Sequence, residues 1–379
     1  MKIGIDARLI RETGVGRYIQ NLVKHLIEID RKNDYVLFVR KEDQENLKSL
    51  ASQRSGQISN LKWKIAIADV PWHSIKEQVQ FTEILNREKL DLVHFPYFSV
   101  PISYNRPFVI TIHDLILHHY PTGKASTLPF PFYVLKVIGY KYLIRKASEN
   151  AKKIIAVSKS TKDEIMDHLK IPQDKIKVIY EGVDDKIINQ KSRIANDQRP
   201  KTKDYFLFVG NVYPHKNAER MIKAFNIFLQ YFPQTLLILV GKEDFFYKRL
   251  RETVNKMDLG KKIIFYGRAS DEELGVLYEN AIAVVVPSLM EGFGLPALEA
   301  MANKCLVLAS SIPSLKEVCR EDAIYFDPYD GNDIAEKMKM AYLGKFDREI
   351  IERGFERSKE FSFRKMAKET LKIYESALL

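Results

Sequence analysis

The sequence predicts an α/β protein built from two doubly wound domains, and three observations carry that expectation. Short β-branched and aromatic runs alternate with longer helical stretches along the chain, as in crossover units that form parallel sheets. Several runs are continuously apolar, such as Leu236-Leu237-Ile238-Leu239-Val240, which is how strands buried on both faces read. Between Lys186 and Asp204 the apolar pattern fades into a polar stretch carrying Lys191, Arg193, Arg199, Lys201 and Lys203. A new strand–helix series begins after it.

In the first half the strand patterns are Lys2–Ala7, Tyr35–Arg40, Leu61–Ile67, Leu92–Phe95, Phe108–His113, Lys153–Val157 and Lys177–Tyr180. In the second half they are Tyr205–Gly210, Leu236–Gly241, Lys262–Tyr266, Ala283–Pro287, Leu306–Ala309 and Ile324–Phe326. The expected division is residues 1–190, a linker over 191–204, and a second domain over 205–361. Doubly wound domains bind ligands at the carboxyl ends of their strands, so the loops there are where chemistry is sought.

Composition narrows the function classes. With 379 residues, 46% hydrophobic and 29% charged, the chain can bury substantial cores and is neither disordered nor fibrous. Only Cys305 and Cys319 are present, which excludes a disulfide scaffold and favours a reducing compartment. No run reaches the length of a membrane span, and Met1–Asp6 reads as a strand rather than a signal peptide, so a cytoplasmic protein is expected. The net charge of +11 suits nucleic acid, anionic lipid or phosphorylated small molecules. The charge is spread along the chain, with no zinc-ligand spacing, helix-turn-helix signature or aromatic RNA-binding motif, so no nucleic-acid partner is expected.

The most informative local stretch is Pro287-Ser288-Leu289-Met290-Glu291-Gly292-Phe293-Gly294-Leu295-Pro296-Ala297-Leu298-Glu299. It leaves a buried strand through a turn with two glycines and enters a helix, with Pro296 suited to the first helical position. Backbone amides at that helix start form an anion site. Glu291 precedes the helix and Glu299 is expected in its opening turn. Two carboxylates beside an anion site repel phosphate and are better suited to sugar hydroxyls. As a loop acid and a charge favourable to the helix dipole they need no ligand, but that leaves the intervening glycines and proline unexplained.

Three further loops follow strand patterns. Gly210-Asn211-Val212-Tyr213-Pro214-His215-Lys216-Asn217 offers Lys216 as a cation for a leaving diphosphate, although an isolated loop lysine is usually only solvated. Asp6-Ala7-Arg8 leads to Thr13-Gly14-Val15-Gly16-Arg17-Tyr18, a glycine turn without dinucleotide-fingerprint spacing, since Ile19 stands where a third glycine would. Ile112-His113-Asp114 ends an apolar strand, where a histidine is a better functional candidate than elsewhere. His118 and His119 follow, with no carboxylate or histidine at ligand spacing, and no metal site is expected. Ala156–Thr161 ends a strand and caps a helix through hydroxyls.

The Glu291–Glu299 stretch resembles the signature of glycosyltransferase family 4, whose members are retaining, nucleotide-sugar-dependent enzymes of the GT-B fold with two Rossmann-like domains facing across a cleft. The resemblance extends over nearly the whole chain. It implies that Glu291 contacts the transferred sugar, that Glu299 holds the nucleotide ribose, and that the backbone of Gly292, Phe293, Gly294 and Leu295 meets sugar and phosphates. It implies phosphate-side roles for Gly14 and Gly16, an acceptor-side place for Arg17 and Asp114, and a sugar-positioning role for His113. Lys216 matches the family lysine. The accompanying arginine is replaced by Asn211 or His215 in its two usual positions, so protonated His215, or Arg220, is left to supply the second positive charge. Glu181-Gly182-Val183-Asp184 resembles the family's Asn-Gly-Val-Asp turn, with Glu181 in place of Asn. The helix after Phe361-Ser362-Phe363 is implied to join the first domain, over 362–379.

The combination of Asp6-Ala7-Arg8, Gly14-Val15-Gly16-Arg17-Tyr18, His113-Asp114-Leu115 and Lys216-Asn217 resembles the mannosyltransferase-like branch of bacterial polysaccharide assembly. GDP-mannose is the favoured donor and a UDP-sugar the second choice, with no further cofactor or metal required. The implied acceptor is a glycan or lipid-linked hydroxyl at the cytoplasmic membrane face. Phe130–Lys146 interleaves aromatics with bases, which fits either contact with an anionic membrane or a sheet-packed helix with a solvated side. The competing functions are a UDP-sugar 2-epimerase-like isomerase of the same fold and a non-catalytic nucleotide-sugar or glycan-binding protein.

Overall fold

The computed structural model describes residues 1–44, 63–72, 74, 76–120, 130–184, 187 and 204–378. The linker expected over 191–204 lies outside them except for Asp204, as do Leu61 and Lys62 of the expected third strand. The chain forms two compact units. One comprises Met1–His119, Leu128–Glu181 and Phe363–Leu379; the other is Gly182–Ser362 with Tyr120–Thr127.

The first unit holds a seven-stranded sheet of β1 (Lys2–Asp6), β2 (Asp34–Val39), β3 (Trp63–Ile67), β4 (Leu92–Phe95), β5 (Phe108–Ile112), β6 (Lys153–Ala156) and β7 (Ile176–Val178). Its order is β3-β2-β1-β4-β5-β6-β7, and every pair is parallel. The second unit holds a six-stranded sheet of β8 (Tyr205–Val209), β9 (Leu236–Val240), β10 (Ile263–Gly267), β11 (Ala283–Val286), β12 (Val307–Ser310) and β13 (Ile324–Phe326). Its order is β10-β9-β8-β11-β12-β13, again all parallel. Each strand pattern of the sequence corresponds to a strand, displaced by at most two residues; Lys177–Tyr180, for example, becomes Ile176–Val178.

The direction in which successive strands are added to the sheet reverses between β1 and β4 in one unit and between β8 and β11 in the other. Loops leaving the two central strands diverge at such a switch point and leave a crevice at their carboxyl ends. In the second unit this makes neighbours of the loops after β8 and β11. Without that strand order, residues 216 and 291 would be unrelated.

The helices that matter for the site are α1 (Gly14–Ile29), α2 (Ile116–His119), α3 (Phe130–Asn150), α4 (Lys159–Leu169), α5 (Ala218–Leu229), α6 (Leu295–Ala302), α7 (Pro313–Cys319) and α8 (Phe363–Ser376). Helix α1 buries Tyr18, Ile19, Leu22, Val23 and Leu26, a stripe at helical spacing that packs in part on α8. Tyr374 of α8 bonds to His94 of β4 at 2.7 Å, fastening the chain's last helix to the first sheet.

The Asp6-Ala7-Arg8 motif has a structural explanation. Arg8 is buried, bonds Asp6 at 2.9 and 2.7 Å, Glu77 at 2.7 Å and the Val70 carbonyl at 3.1 Å, and lies 3.7 Å over the Phe81 ring. Ser99 donates to the second Glu77 oxygen at 2.8 Å. Burial disfavours the guanidinium charge, but the two carboxylates outweigh it and hold its pKa above the ordinary value.

Candidate functional site

In the second unit, Pro214–Lys216 forms a single 3-10 turn after β8, and Asn217 ends it in the left-handed region at φ 59°. Asparagine enters that region more readily than most residues. The Asn217 amide donates to the carbonyls of Pro287 at 3.0 Å and Pro328 at 2.8 Å, tying this loop to those after β11 and β13. Leu289 N–H donates to the His215 carbonyl at 2.7 Å. Asn217 is a positioning residue, which the motif Lys216-Asn217 included without giving it a role.

Lys216 Nζ consequently reaches Glu291, donating to its two carboxylate oxygens at 2.7 and 2.8 Å. Ser288 Oγ donates to Glu291 Oε1 at 2.7 Å. The side chains are only 17% and 9% exposed, so the pair is largely desolvated. Burial alone would raise the Glu291 pKa, but the Lys216 charge, its hydrogen bonds and Ser288 reverse the shift and hold it below the usual carboxylate value.

His215 does not provide the second cation in this arrangement. Burial first, and then the neighbouring Lys216 charge, push its pKa down to about 4, so it is neutral near pH 7. Arg220 on α5 donates to the Pro328 carbonyl at 2.8 Å and lies 5.6 Å over Tyr329. Asn211 accepts from Tyr213 N–H at 3.4 Å, shaping its own turn.

The glycine turn has a steric cause. Gly294 sits at φ 104°, and a Cβ there would lie 2.6 Å from Leu315 Cδ2 on α7. Helix α6 then starts at Leu295, which corrects two expectations: Pro296 is its second residue, and Glu299 lies in its second turn rather than its first. Glu299 is 4% exposed and accepts from Tyr278 O–H at 3.0 Å. Phe293 is buried against Phe361 with ring centroids 5.7 Å apart, so its side chain serves packing. Gly292 and Leu295 are partly exposed on either side. A cavity of about 420 Å³ lined by Leu289, Ser311, Ile312, Tyr325, Pro328 and Tyr329 adjoins this loop cluster.

In the first unit, His113 follows β5 with its side chain 11% exposed. Its ring lies between Glu181 Oε1 at 3.1 Å and the Pro96 carbonyl at 3.0 Å, and Tyr18 meets it edge-on at 5.0 Å. Thr161, whose amide is capped by Ser158, donates its hydroxyl to the His113 carbonyl at 3.1 Å. Burial would lower the His113 pKa, but Glu181, the Pro96 carbonyl and Asp114 together raise it. Glu181 is buried, and motif reasoning noted it only as a departure from asparagine. Asp114 accepts from Ile116 N–H at 3.0 Å and so caps α2. Gly16 owes its identity to packing: a Cβ would lie 2.6 Å from the Ile10 carbonyl oxygen, whereas one on exposed Gly14 would meet nothing within 4 Å. Arg17 is partly exposed on the first turn of α1.

The expectation that His119 lacks ligand-type neighbours is corrected. His119, Glu164 and His168 bring one ligand atom each within 4.8 Å of one another. Glu164 and His168 are one turn apart on α4, and folding sets α2 beside them. The two histidines are exposed and Glu164 is partly exposed between them, joined to both by His–Glu contacts.

Helix α3 is apolar on two opposite sides. Tyr133, Tyr140, Ile144 and Ala147 are buried, while Phe132, Leu135, Ile138 and Tyr142 are 63%, 66%, 59% and 53% exposed. At about 100° per residue the second group falls opposite the first. Lys136, Lys141 and Arg145 are exposed on the same helix. Among the described residues no helix is long and apolar enough to cross a membrane.

Comparison with known proteins agrees with this architecture. Residues 13–186 match the model "Glycosyltransferase Family 4", and residues 189–357 match "Glycosyl transferases group 1". The O-antigen chain mannosyltransferase RfbU of Salmonella typhimurium is 29% identical over 72% of this chain and 71% of its own. O-antigen chain mannosyltransferase B of Escherichia coli is 25% identical over 96% of both chains. The sucrose-phosphate synthase of Thermosynechococcus elongatus superposes with a TM-score of 0.77 at 20% identity, covering 99% of this chain and 98% of that one. HepE of Anabaena, solved with UDP and glucose, gives 0.74 at 17% identity, covering 99% and 100%. These structures share the GT-B fold. With both halves of the chain matched by family models and the two parallel-sheet units in place, the protein is a glycosyltransferase and belongs to the family 4 type.

Proposed function

We propose that the protein transfers mannose from GDP-mannose, with retention of anomeric configuration, to a hydroxyl of a lipid-linked glycan. The observation that carries the reading is the Lys216–Glu291 pair, held at the switch point of the second sheet beside the Gly292–Leu295 turn. Cleavage of a glycosyl–diphosphate bond builds negative charge on the leaving group, and a desolvated ammonium already in place stabilises it. Lys216 has three donors and spends two on Glu291. An incoming diphosphate takes a share of that cation, while sugar hydroxyls bond the carboxylate it releases. Glu299 is assigned the ribose, the backbone of Gly292–Leu295 the sugar and phosphates, Gly14 and Gly16 the donor phosphates, and His113 the sugar ring. Arg17 and Asp114 are assigned to the acceptor. Likeness to two O-antigen mannosyltransferases supports mannose and a polysaccharide-building role.

The exposed side of α3 supports a membrane-borne acceptor. Its apolar stripe and neighbouring bases suit an anionic lipid surface, where apolar burial and electrostatic attraction add. The enzyme would then work at the cytoplasmic face of the membrane.

Donor choice is tested by thermal shift with GDP, GDP-mannose, UDP and UDP-sugars, because a ligand that binds only the folded form raises Tm. A shift with GDP and GDP-mannose alone, followed by mannose incorporation into lipid-linked acceptor, is expected; a shift confined to UDP ligands overturns the donor. Anomeric configuration of the product by NMR tests retention. Co-sedimentation with vesicles containing phosphatidylglycerol, lost in Leu135→Glu/Ile138→Glu, tests the membrane surface.

A further inference from the structure

We propose that Glu181 is a positioning residue that holds His113 as a doubly protonated imidazolium, fixed in place and withdrawn from general-base chemistry. The claim rests on the proposed glycosyl transfer only for its consequence in turnover; the proton state follows from partner chemistry. His113 Nε2 faces the Pro96 carbonyl at 3.0 Å, and a carbonyl oxygen only accepts, so Nε2 must carry hydrogen. Nδ1 faces a Glu181 carboxyl oxygen at 3.1 Å, and the proposal places the shared proton on the ring, where the carboxylate left behind only accepts. Both nitrogens therefore donate, and the ring carries a positive charge.

His94 on the adjacent strand supplies the contrast. Its nitrogens face the hydroxyls of Tyr374 at 2.7 Å and Thr111 at 2.8 Å. Hydroxyls both donate and accept, so they satisfy a neutral imidazole. Burial, with the His113 charge, drives its pKa down to about 3. Two buried histidines of one sheet thus hold opposite proton states because of the atoms opposite them.

Every element packed on His113 is consistent with a fixed cation. Glu181 follows β7, Asp114 is its own neighbour, neutral His94 sits on β4, and Tyr18 of α1 places its ring edge-on at 5.0 Å. Thr161 of α4 holds the backbone carbonyl at 3.1 Å. With both nitrogens and the carbonyl committed to protein partners, the ring has no lone pair with which to take a proton. It serves the reaction as a rigid surface and a local charge. Asparagine at 181 could accept one hydrogen bond but would supply no counter-charge, so this chain's glutamate sets the proton state.

The test is the ¹⁵N spectrum of the full-length protein labelled at histidine, at pH 7.5, assigned with His113→Asn and His94→Gln. Expected are imidazolium shifts for His113 and neutral-ring shifts for His94. Glu181→Gln should return His113 to the neutral form at that pH, while Glu181→Asp, which keeps the charge, should retain part of the imidazolium signal. Far-UV circular dichroism confirms folding of each variant; if Glu181→Gln does not fold, the wild-type and Glu181→Asp spectra decide. A neutral His113 in the wild type, or an unchanged His113 titration in folded Glu181→Gln, overturns the proposal. With donor and acceptor, Glu181→Gln should lower kcat about tenfold, the scale of one charge-assisted hydrogen bond, and move the alkaline limb of the pH profile to lower pH. Unaltered kcat and pH limb would overturn its role in turnover. Absence of wild-type turnover with any sugar donor would defeat the transfer reading instead, while the spectra would still decide the proton state.

Discussion

Lys216–Glu291 and His113–Glu181 are both cation–carboxylate pairs set at the carboxyl ends of parallel strands, yet they hold their charge in different ways. The lysine donates to both oxygens of Glu291, which fixes its position. Its remaining donor and the partial exposure of the pair leave it able to change partners. The histidine owes its charge to its surroundings, and each of its nitrogens is engaged by an atom that can only accept. On the proposed reading, a ligand divides the first pair, while the second stays intact. The difference lies in the donor count and in what surrounds each group.

The sharpest way to break that comparison is thermodynamic. Lys216→Met leaves Glu291 buried without its counter-charge, and should cost about 3 kcal/mol in urea denaturation, whereas Lys216→Met/Glu291→Gln should recover most of the loss. Equal destabilisation of single and double variants would mean the pair is not coupled. In turnover, Lys216→Ala should lower kcat by about 10²–10³-fold, the effect of removing one preorganised group from a developing charge. A change in KM alone would assign Lys216 to ground-state binding. Gly294→Ala, which forces a side chain into the left-handed region and toward Leu315, should cost about 1–3 kcal/mol and lower donor affinity along with stability. Wild-type-like melting would remove the steric account of that turn.

The pH dependence of stability separates the pairs by sign. Glu291 has a depressed folded-state pKa, so its contribution is present above the unfolded carboxylate value and lost as pH falls through the lower folded value. His113 has a raised one, so its contribution is complete below the unfolded histidine value and lost as pH rises through the higher folded value. Denaturation midpoints across pH should show Glu291→Gln altering the acid side and Glu181→Gln the alkaline side. If both variants alter the same side, the assignment of the two pairs is wrong.

Much of the fold was legible because buried parallel strands must be apolar throughout, and runs such as Leu236–Val240 announce themselves. Local motifs also marked the candidate loops: Gly294 because only glycine suits its φ, and Lys216 because it follows a strand end. Other features required folding to be seen. The family resemblance implies a phosphate-side role for Gly16, and folding adds a steric reason for glycine there, since a Cβ would meet the Ile10 carbonyl. Arg8 reads as part of a family motif and is a buried counter-ion for Asp6 and Glu77. His119 had no visible partner until α4 brought Glu164 and His168 alongside.

By itself, the sequence determined the α/β class, the strands and the residues able to carry charge at their ends, because those follow from local periodicity and side-chain chemistry. Tertiary structure decided which charges meet. Strand order put Lys216 against Glu291 across 75 positions and His113 against Glu181 across 68, and the atoms facing each buried ring, set against the cost of burial, then decided its proton state. Coulomb energy and desolvation depend on distance in space and on access to water, and neither quantity is encoded in any short stretch of chain.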